Sequence, residues 1–111
     1  MIEFGIAAVP EAPNDLETQE VTWESVELKW HAGFNGGYAQ NFLVSYMDSN
    51  TVETVSVGSL THYNVTHLYP DINYTFRVVS ENEVGTGSPS NAVAAETPGT
   101  YPQLVETITS S

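Results

Sequence analysis

The stretch Leu68-Tyr69-Pro70-Asp71-Ile72-Asn73-Tyr74-Thr75-Phe76 decides how this chain folds. Leu68 closes one extended run. Pro70 has no N–H to give a strand ladder, so the run cannot continue through it. A new run opens at Tyr74, with Tyr74, Phe76 and Val78 on one side and Thr75, Arg77 and Val79 on the other. A chain that ends one strand at a proline and starts another within a few residues is crossing between two sheets. A tyrosine just past such a crossing can bury its ring in the core while its hydroxyl bonds backbone freed at the corner.

Upstream, Ser25-Val26-Glu27-Leu28-Lys29-Trp30 alternates cleanly, with Val26, Leu28 and Trp30 inward, and reads as a central strand with Trp30 in the core. Pro13 to Val21 reads as a first edge strand with Leu16 and Val21 inward, and Trp23 falls half-exposed in the turn that follows. His31 to Gln40 is a loop, broken by Gly33, Gly36 and Gly37. Asn41 to Met47 points Phe42, Val44 and Tyr46 inward and Leu43, Ser45 and Met47 outward. Asp48-Ser49-Asn50 turns the chain into Thr51–Val57, where Val55 and Val57 are the expected buried pair. Thr61 to Leu68 supplies the strand entering the corner, with Tyr63, Val65 and Leu68 inward. After Ser80, a turn-rich loop from Glu81 to Ser90 leads to a last strand, Asn91 to Thr97. The result is an all-β chain: a seven-stranded antiparallel sandwich with no stretch of helical period.

Two patterns carry a resemblance. Leu68-x-Pro70-x-x-x-Tyr74, followed by Arg77-Val78 and Ser80-Glu81-Asn82, resembles the corner of fibronectin type III domains, and Val21-Thr22-x-x-Ser25-Val26-x-Leu28-x-Trp30, the second most specific signature, resembles the same family. The loop Gly33-Phe34-x-Gly36-Gly37-x-x-Gln40-x-Phe42 resembles those of immunoglobulin-superfamily adhesion receptors such as nephrin and echinoid. Muscle-type repeats such as those of titin share the paired glycines but usually carry prolines before them. The resemblance covers residues 13–98, leaving 1–12 as a leader or expression-derived linker and 99–111, rich in Thr and Ser, as a C-terminal linker. It implies an immunoglobulin-like fold and a non-catalytic spacer and protein-contact module from the ectodomain of a cell-surface adhesion or guidance receptor. Its implied partners are proteins, homophilic or another adhesion receptor, and the neighbouring domains of the same chain. Its implied place is the extracellular side of the plasma membrane, within a larger single-pass receptor. The rival readings are an intracellular scaffold module of sarcomeric type and an accessory domain of a secreted hydrolase.

Composition narrows the chemistry. The 111 residues suffice for one domain. With no cysteine there is no disulfide, thiol nucleophile or thiolate metal site. Fourteen acidic residues against Lys29 and Arg77 give a formal net charge of −12, which argues against nucleic acid and anionic bilayers. No apolar run approaches the ~20 residues of a membrane span, so no direct membrane insertion is expected within this stretch. The N-terminal Met1-Ile2-Glu3-Phe4 lacks the basic start of a secretory signal.

No catalytic, metal or cofactor site is expected. There is no Gly-x-Ser-x-Gly elbow, and Asp15, Glu17, Glu20, Glu24 and Glu27 lack calcium-loop spacing and read as a solvated face. His62 and His67 fall on opposite faces of a regular strand, and His31 belongs to a distant loop, so the three do not converge on a metal. No Arg-Gly-Asp tripeptide is present. Two sequons, Asn64-Val65-Thr66 and Asn73-Tyr74-Thr75, make Asn64 and Asn73 candidate glycosylation sites. Candidate binding residues are Leu43, Met47 and Val79, outward on neighbouring strands, and Phe34 and Tyr38 at a loop tip. Trp30, Leu68 and Tyr74 are the candidate structural core.

Overall fold

The computed structural model describes residues 7–99. These residues form seven strands: β1 (Asn14–Val21), β2 (Val26–His31), β3 (Asn41–Met47), β4 (Val52–Gly58), β5 (His62–Val65), β6 (Asn73–Glu81) and β7 (Val93–Glu96). They pair antiparallel in a three-stranded sheet, β1-β2-β5, and a four-stranded sheet, β4-β3-β6-β7.

The period-2 alternation decides what lies between the sheets. From the first come Leu16, Val26, Leu28, Trp30 and Val65; from the second Phe42, Val44, Val57, Tyr74, Phe76 and Val78, all buried, with Leu68 from the crossing. Trp30 meets Phe42 across the gap in an edge-to-face contact, ring centres 5.8 Å apart, so the largest side chain of one sheet is keyed to an aromatic of the other. Tyr46, Val55 and Tyr63 pack on this core while remaining partly exposed.

The corner joins the sheets as its sequence requires. The Tyr69 N–H, left without a strand partner next to Pro70, donates to the Tyr74 hydroxyl at 2.9 Å, while the Tyr74 ring is 4% exposed. Thr97, arriving from the end of β7, completes the turn: its hydroxyl donates to the Tyr69 carbonyl at 2.6 Å and accepts from the Ile72 N–H at 3.1 Å. Asp71 within this turn has a φ of 61°.

The opposite edge is closed by Ser90 and Asn91. Ser90 sits beside β6 in place of a strand residue, its N–H donating to the Val78 carbonyl and its hydroxyl accepting from the Val78 N–H. The Asn91 carboxamide imitates a peptide group toward β1, accepting from the Leu16 N–H at 3.1 Å and donating to the Leu16 carbonyl at 3.0 Å.

Three elements differ from the sequence expectation. The strand entering the corner stops at Val65 instead of running to Leu68, because the Leu68 N–H leaves the ladder for the Glu24 carbonyl and His67 adopts a φ of 63°. The last strand starts at Val93, since Ser90 and Asn91 are engaged as above. Residues 8–12, read as leader, run along the β2–β3 and β6–β7 loops, with the Ala8 N–H on the Gly36 carbonyl at 3.1 Å and the Glu11 N–H on the Phe34 carbonyl at 2.8 Å. The remainder of the leader and the linker after Gly99 lie outside the described residues.

Candidate contact surfaces

On the outer face of the four-stranded sheet, the ladder sets Leu43 opposite Val79, Ser45 opposite Arg77 and Met47 opposite Thr75. On the other side of β3, Met47 faces Val52 and Leu43 faces Ser56. Leu43, Met47 and Val79 are half-buried, because neighbouring side chains on a pleated sheet cover one another, while Val52 at the edge is 60% exposed. Val52 therefore belongs with the sequence-derived trio. The sequence does not single it out, because the alternation of its strand marks Val55 and Val57. Arg77 stands exposed on this face among apolar and hydroxyl-bearing neighbours.

Phe34 and Tyr38 lie in the β2–β3 loop, 62% and 37% exposed, so they form no part of the core. They share an end of the sandwich with Val9 and Val84, 42% and 46% exposed. Asn82 organises that end. Its carboxamide oxygen accepts from the Val84 and Gly85 N–H groups, and its amide nitrogen donates to the Ala8 and Asn35 carbonyls, both at 2.8 Å. Nothing in the local sequence around Asn82 signals a partner 74 residues away.

Both sequon asparagines are exposed: Asn64 on edge strand β5, opposite Glu27, and Asn73 at the start of β6, opposite Glu96. The histidines are scattered. His31 is the last residue of β2 rather than a loop residue, and its Nδ1 lies 3.1 Å from the Asp15 carboxylate, where β1 bends through a φ of 56°. His62 is in β5 and His67 beyond it. Among the described residues no group of three His, Cys, Asp or Glu could hold a metal ion. The acidic residues of β1 and β2 are exposed or nearly so, with Glu17 3.8 Å from Lys29.

Among the described residues, two side chains have shifted acidities. The Asp48 carboxylate caps the β3–β4 turn, accepting from the Asn50 and Thr51 N–H groups, both at 2.8 Å, and these bonds to its charged form hold it below the usual carboxylate range. Burial, with Glu53 nearby, pushes the Tyr46 phenol up. Neither shift generates a nucleophile or a general base near neutrality.

Residues 11–96 match the model of the Fibronectin type III domain. The chain belongs to the fibronectin type III family. Its relatives include human Receptor-type tyrosine-protein phosphatase F, 33% identical over 108 residues that cover 91% of the chain. Another is Cell adhesion molecule Dscam1 of Drosophila melanogaster, 32% identical over 115 residues that cover 95% of the chain. The chain spans about 6% of the length of each of these relatives. Among solved structures, the FN5 domain of Drosophila Lar superposes with a TM-score of 0.72 at 24% identity, covering 83% of this chain and 100% of that one. Domains A168–A170 of titin give 0.71 at 28%, covering 81% and 32%. Fold and family thus match the expectation from the corner and from Trp30. The relatives that cover nearly the whole chain are named as a receptor and a cell adhesion molecule.

Proposed function

We propose that this fibronectin type III domain is a non-catalytic spacer and protein-contact module in the ectodomain of a cell-surface adhesion or guidance receptor. The observation that carries this reading is similarity along almost the whole chain to a receptor-type phosphatase and to an adhesion molecule, each many times longer than the chain. The geometry supports it. The chain enters beside the β2–β3 and β6–β7 loops, where Ala8 is bound, and leaves next to the corner, where Gly99 lies against Asp71. Entry and exit are therefore at opposite ends of β6, whose nine residues span about 30 Å at ~3.3 Å per residue. Modules joined this way extend in line instead of folding back.

Contact falls to the Leu43–Met47–Val79 face, extended by Val52. Asn64 and Asn73 are the glycan attachment points in this reading. An antibody to this domain should stain intact cells that express the parent protein; staining only after permeabilisation would favour the sarcomeric-type scaffold, to which the titin likeness belongs. On intact cells, a dimerised form of the domain should bind. Leu43→Glu with Met47→Glu should abolish that binding without unfolding the domain, whereas binding that survives this change but not Phe34→Ser with Tyr38→Ser moves the contact to the loops.

A further inference from the structure

The inner face of the four-stranded sheet carries one residue that does not suit a core. Glu53 shares the inward parity of Val55 and stands directly opposite Tyr46 in the β3–β4 ladder, so its carboxylate and the Tyr46 ring lie on one side of the sheet. A charge there is tolerable only where the sandwich is open. It is open at this end, because β5 has stopped at Val65 and the chain turns away toward the corner. Glu53 is accordingly exposed and Tyr46 half-buried. Between them and the corner lies a cleft of about 240 Å³. Tyr46 and the buried Leu68 and Tyr74 form its floor; Asp48 and Glu53 stand on the β3–β4 side, His67 and Tyr69 on the side of the crossing.

No Lys or Arg lines this cleft. Tyrosine rings beside carboxylates favour a cation: the charges attract it from solution, and the rings hold it once it has shed water. Asp48 keeps its charge because the turn N–H groups bond its ionised form. We infer that the cleft receives the side chain of an arginine carried by a partner protein. Its volume is below the ~300–1,000 Å³ of pockets that enclose a small molecule, and leaves room for one side chain. A guanidinium suits it better than an ammonium, being more weakly hydrated, flat enough to stack on a ring and forked to meet a carboxylate. The chain cannot fill the cleft itself. Its only Lys and Arg are Lys29, 3.8 Å from Glu17 on the other sheet, and Arg77, on the opposite face of this one. A second copy would bring a net charge of −12 against the same charge. A free amino acid would turn its α-carboxylate toward Asp48 and Glu53, with no Lys or Arg there to receive it. This contact is separate from the Leu43–Met47–Val79 face on the other side of the sheet, and it does not depend on where the domain resides.

The test is a titration of Nα-acetyl-arginine methylamide into the 15N-labelled domain at low salt. Amide shifts should concentrate at Tyr46, Asp48, Glu53 and Tyr69 and should saturate. Glu53→Gln and Tyr69→Ala should each weaken binding about three- to tenfold, whereas Glu20→Gln on β1 should leave it unchanged. Both cleft variants spare the fold: Glu53 is exposed, and Tyr69, 70% exposed, serves the corner through its N–H and carbonyl, which alanine keeps. The uncharged citrulline counterpart should not bind, and the lysine counterpart should bind more weakly. Free L-arginine should bind no tighter than the capped probe; tighter binding would assign the cleft to a small molecule and overturn the protein partner. Lysine binding as tight as arginine overturns the choice of side chain. Shifts spread alike over Glu17, Glu20 and Glu24, binding unchanged in both cleft variants, or the same shifts produced by CaCl2 alone overturn the site.

Discussion

Tyr74→Phe removes one oxygen from the molecule and nothing else. The ring, 4% exposed and 6.3 Å from the Phe76 ring, keeps its packing, so the change isolates the bond from the Tyr69 N–H. Without its acceptor that N–H loses a bond of normal length, 2.9 Å. A buried donor left unpaired costs about 1–3 kcal/mol, and because this site is only partly buried, water can recover some of it, leaving about 1–2 kcal/mol. In urea, with m of about 1–3 kcal/mol/M for a domain of this size, the midpoint should fall by roughly 1 M at unchanged m. Unfolding can be followed through the fluorescence of Trp23 and Trp30. Thr97→Val offers a companion measurement, since its hydroxyl serves the other side of the same residue through the Tyr69 carbonyl. The double variant should cost less than the sum of the two, as expected for groups that hold one turn together. A Tyr74→Phe midpoint equal to that of the unmodified chain would refute the claim that the hydroxyl secures the corner.

Acid should weaken the domain in part through Asp48: its folded pKa is depressed, so its stabilisation is complete above the unfolded-state value of about 3.9 and lost as pH falls through the folded value. Asp48→Asn should flatten the acid limb of a stability–pH profile, and an unchanged limb would count against this turn. Tyr46 behaves oppositely: its folded pKa is raised, so the stability it contributes is complete below about pH 10 and lost as pH rises through the folded value, a loss that Tyr46→Phe should remove from the alkaline limb. At neutral pH, 0.15 M NaCl should raise the melting temperature, because screening relieves repulsion at net charge −12 while the exposed Lys29–Glu17 pair has little to lose. A melting temperature that fell would show attractive pairs outweighing repulsion.

What the sequence disclosed was local or periodic. Pro70 followed by Tyr74 marks the corner because both act within a few residues, and Val26, Leu28 and Trp30 declare a buried face because the strand period is two. The contacts that finish the fold have no such signature. Thr97 reaches Tyr69 across 28 residues, Asn91 reaches Leu16 across 75 and Asn82 reaches Ala8 across 74, each a side chain standing in for backbone. A threonine or asparagine in a loop reads the same whether or not a distant peptide group needs it. The early end of β5 has the same origin, since the Leu68 N–H is taken by Glu24, on a turn more than forty residues earlier in the chain. The candidate surfaces were legible only in outline: outward-facing positions follow from parity, whereas the addition of Val52 depends on the β3–β4 register, and the gathering of Val9, Phe34 and Val84 depends on the N-terminal segment and two separate loops.

Because the chain enters through one hydrogen-bonded grip and leaves through another, tension applied between its ends does not act first on the sheets. It loads the Ala8 and Glu11 bonds at one end and those of Thr97 at the other. Yielding of the first grip frees the six residues from Ala7 to Ala12, whose contour of about 20 Å at ~3.3–3.6 Å per extended residue is the upper bound on the length gained. Trp30, Phe42 and Phe76 need not part for this to happen. A tether containing such a module can therefore lengthen by a short, recoverable step under force, with its core still folded.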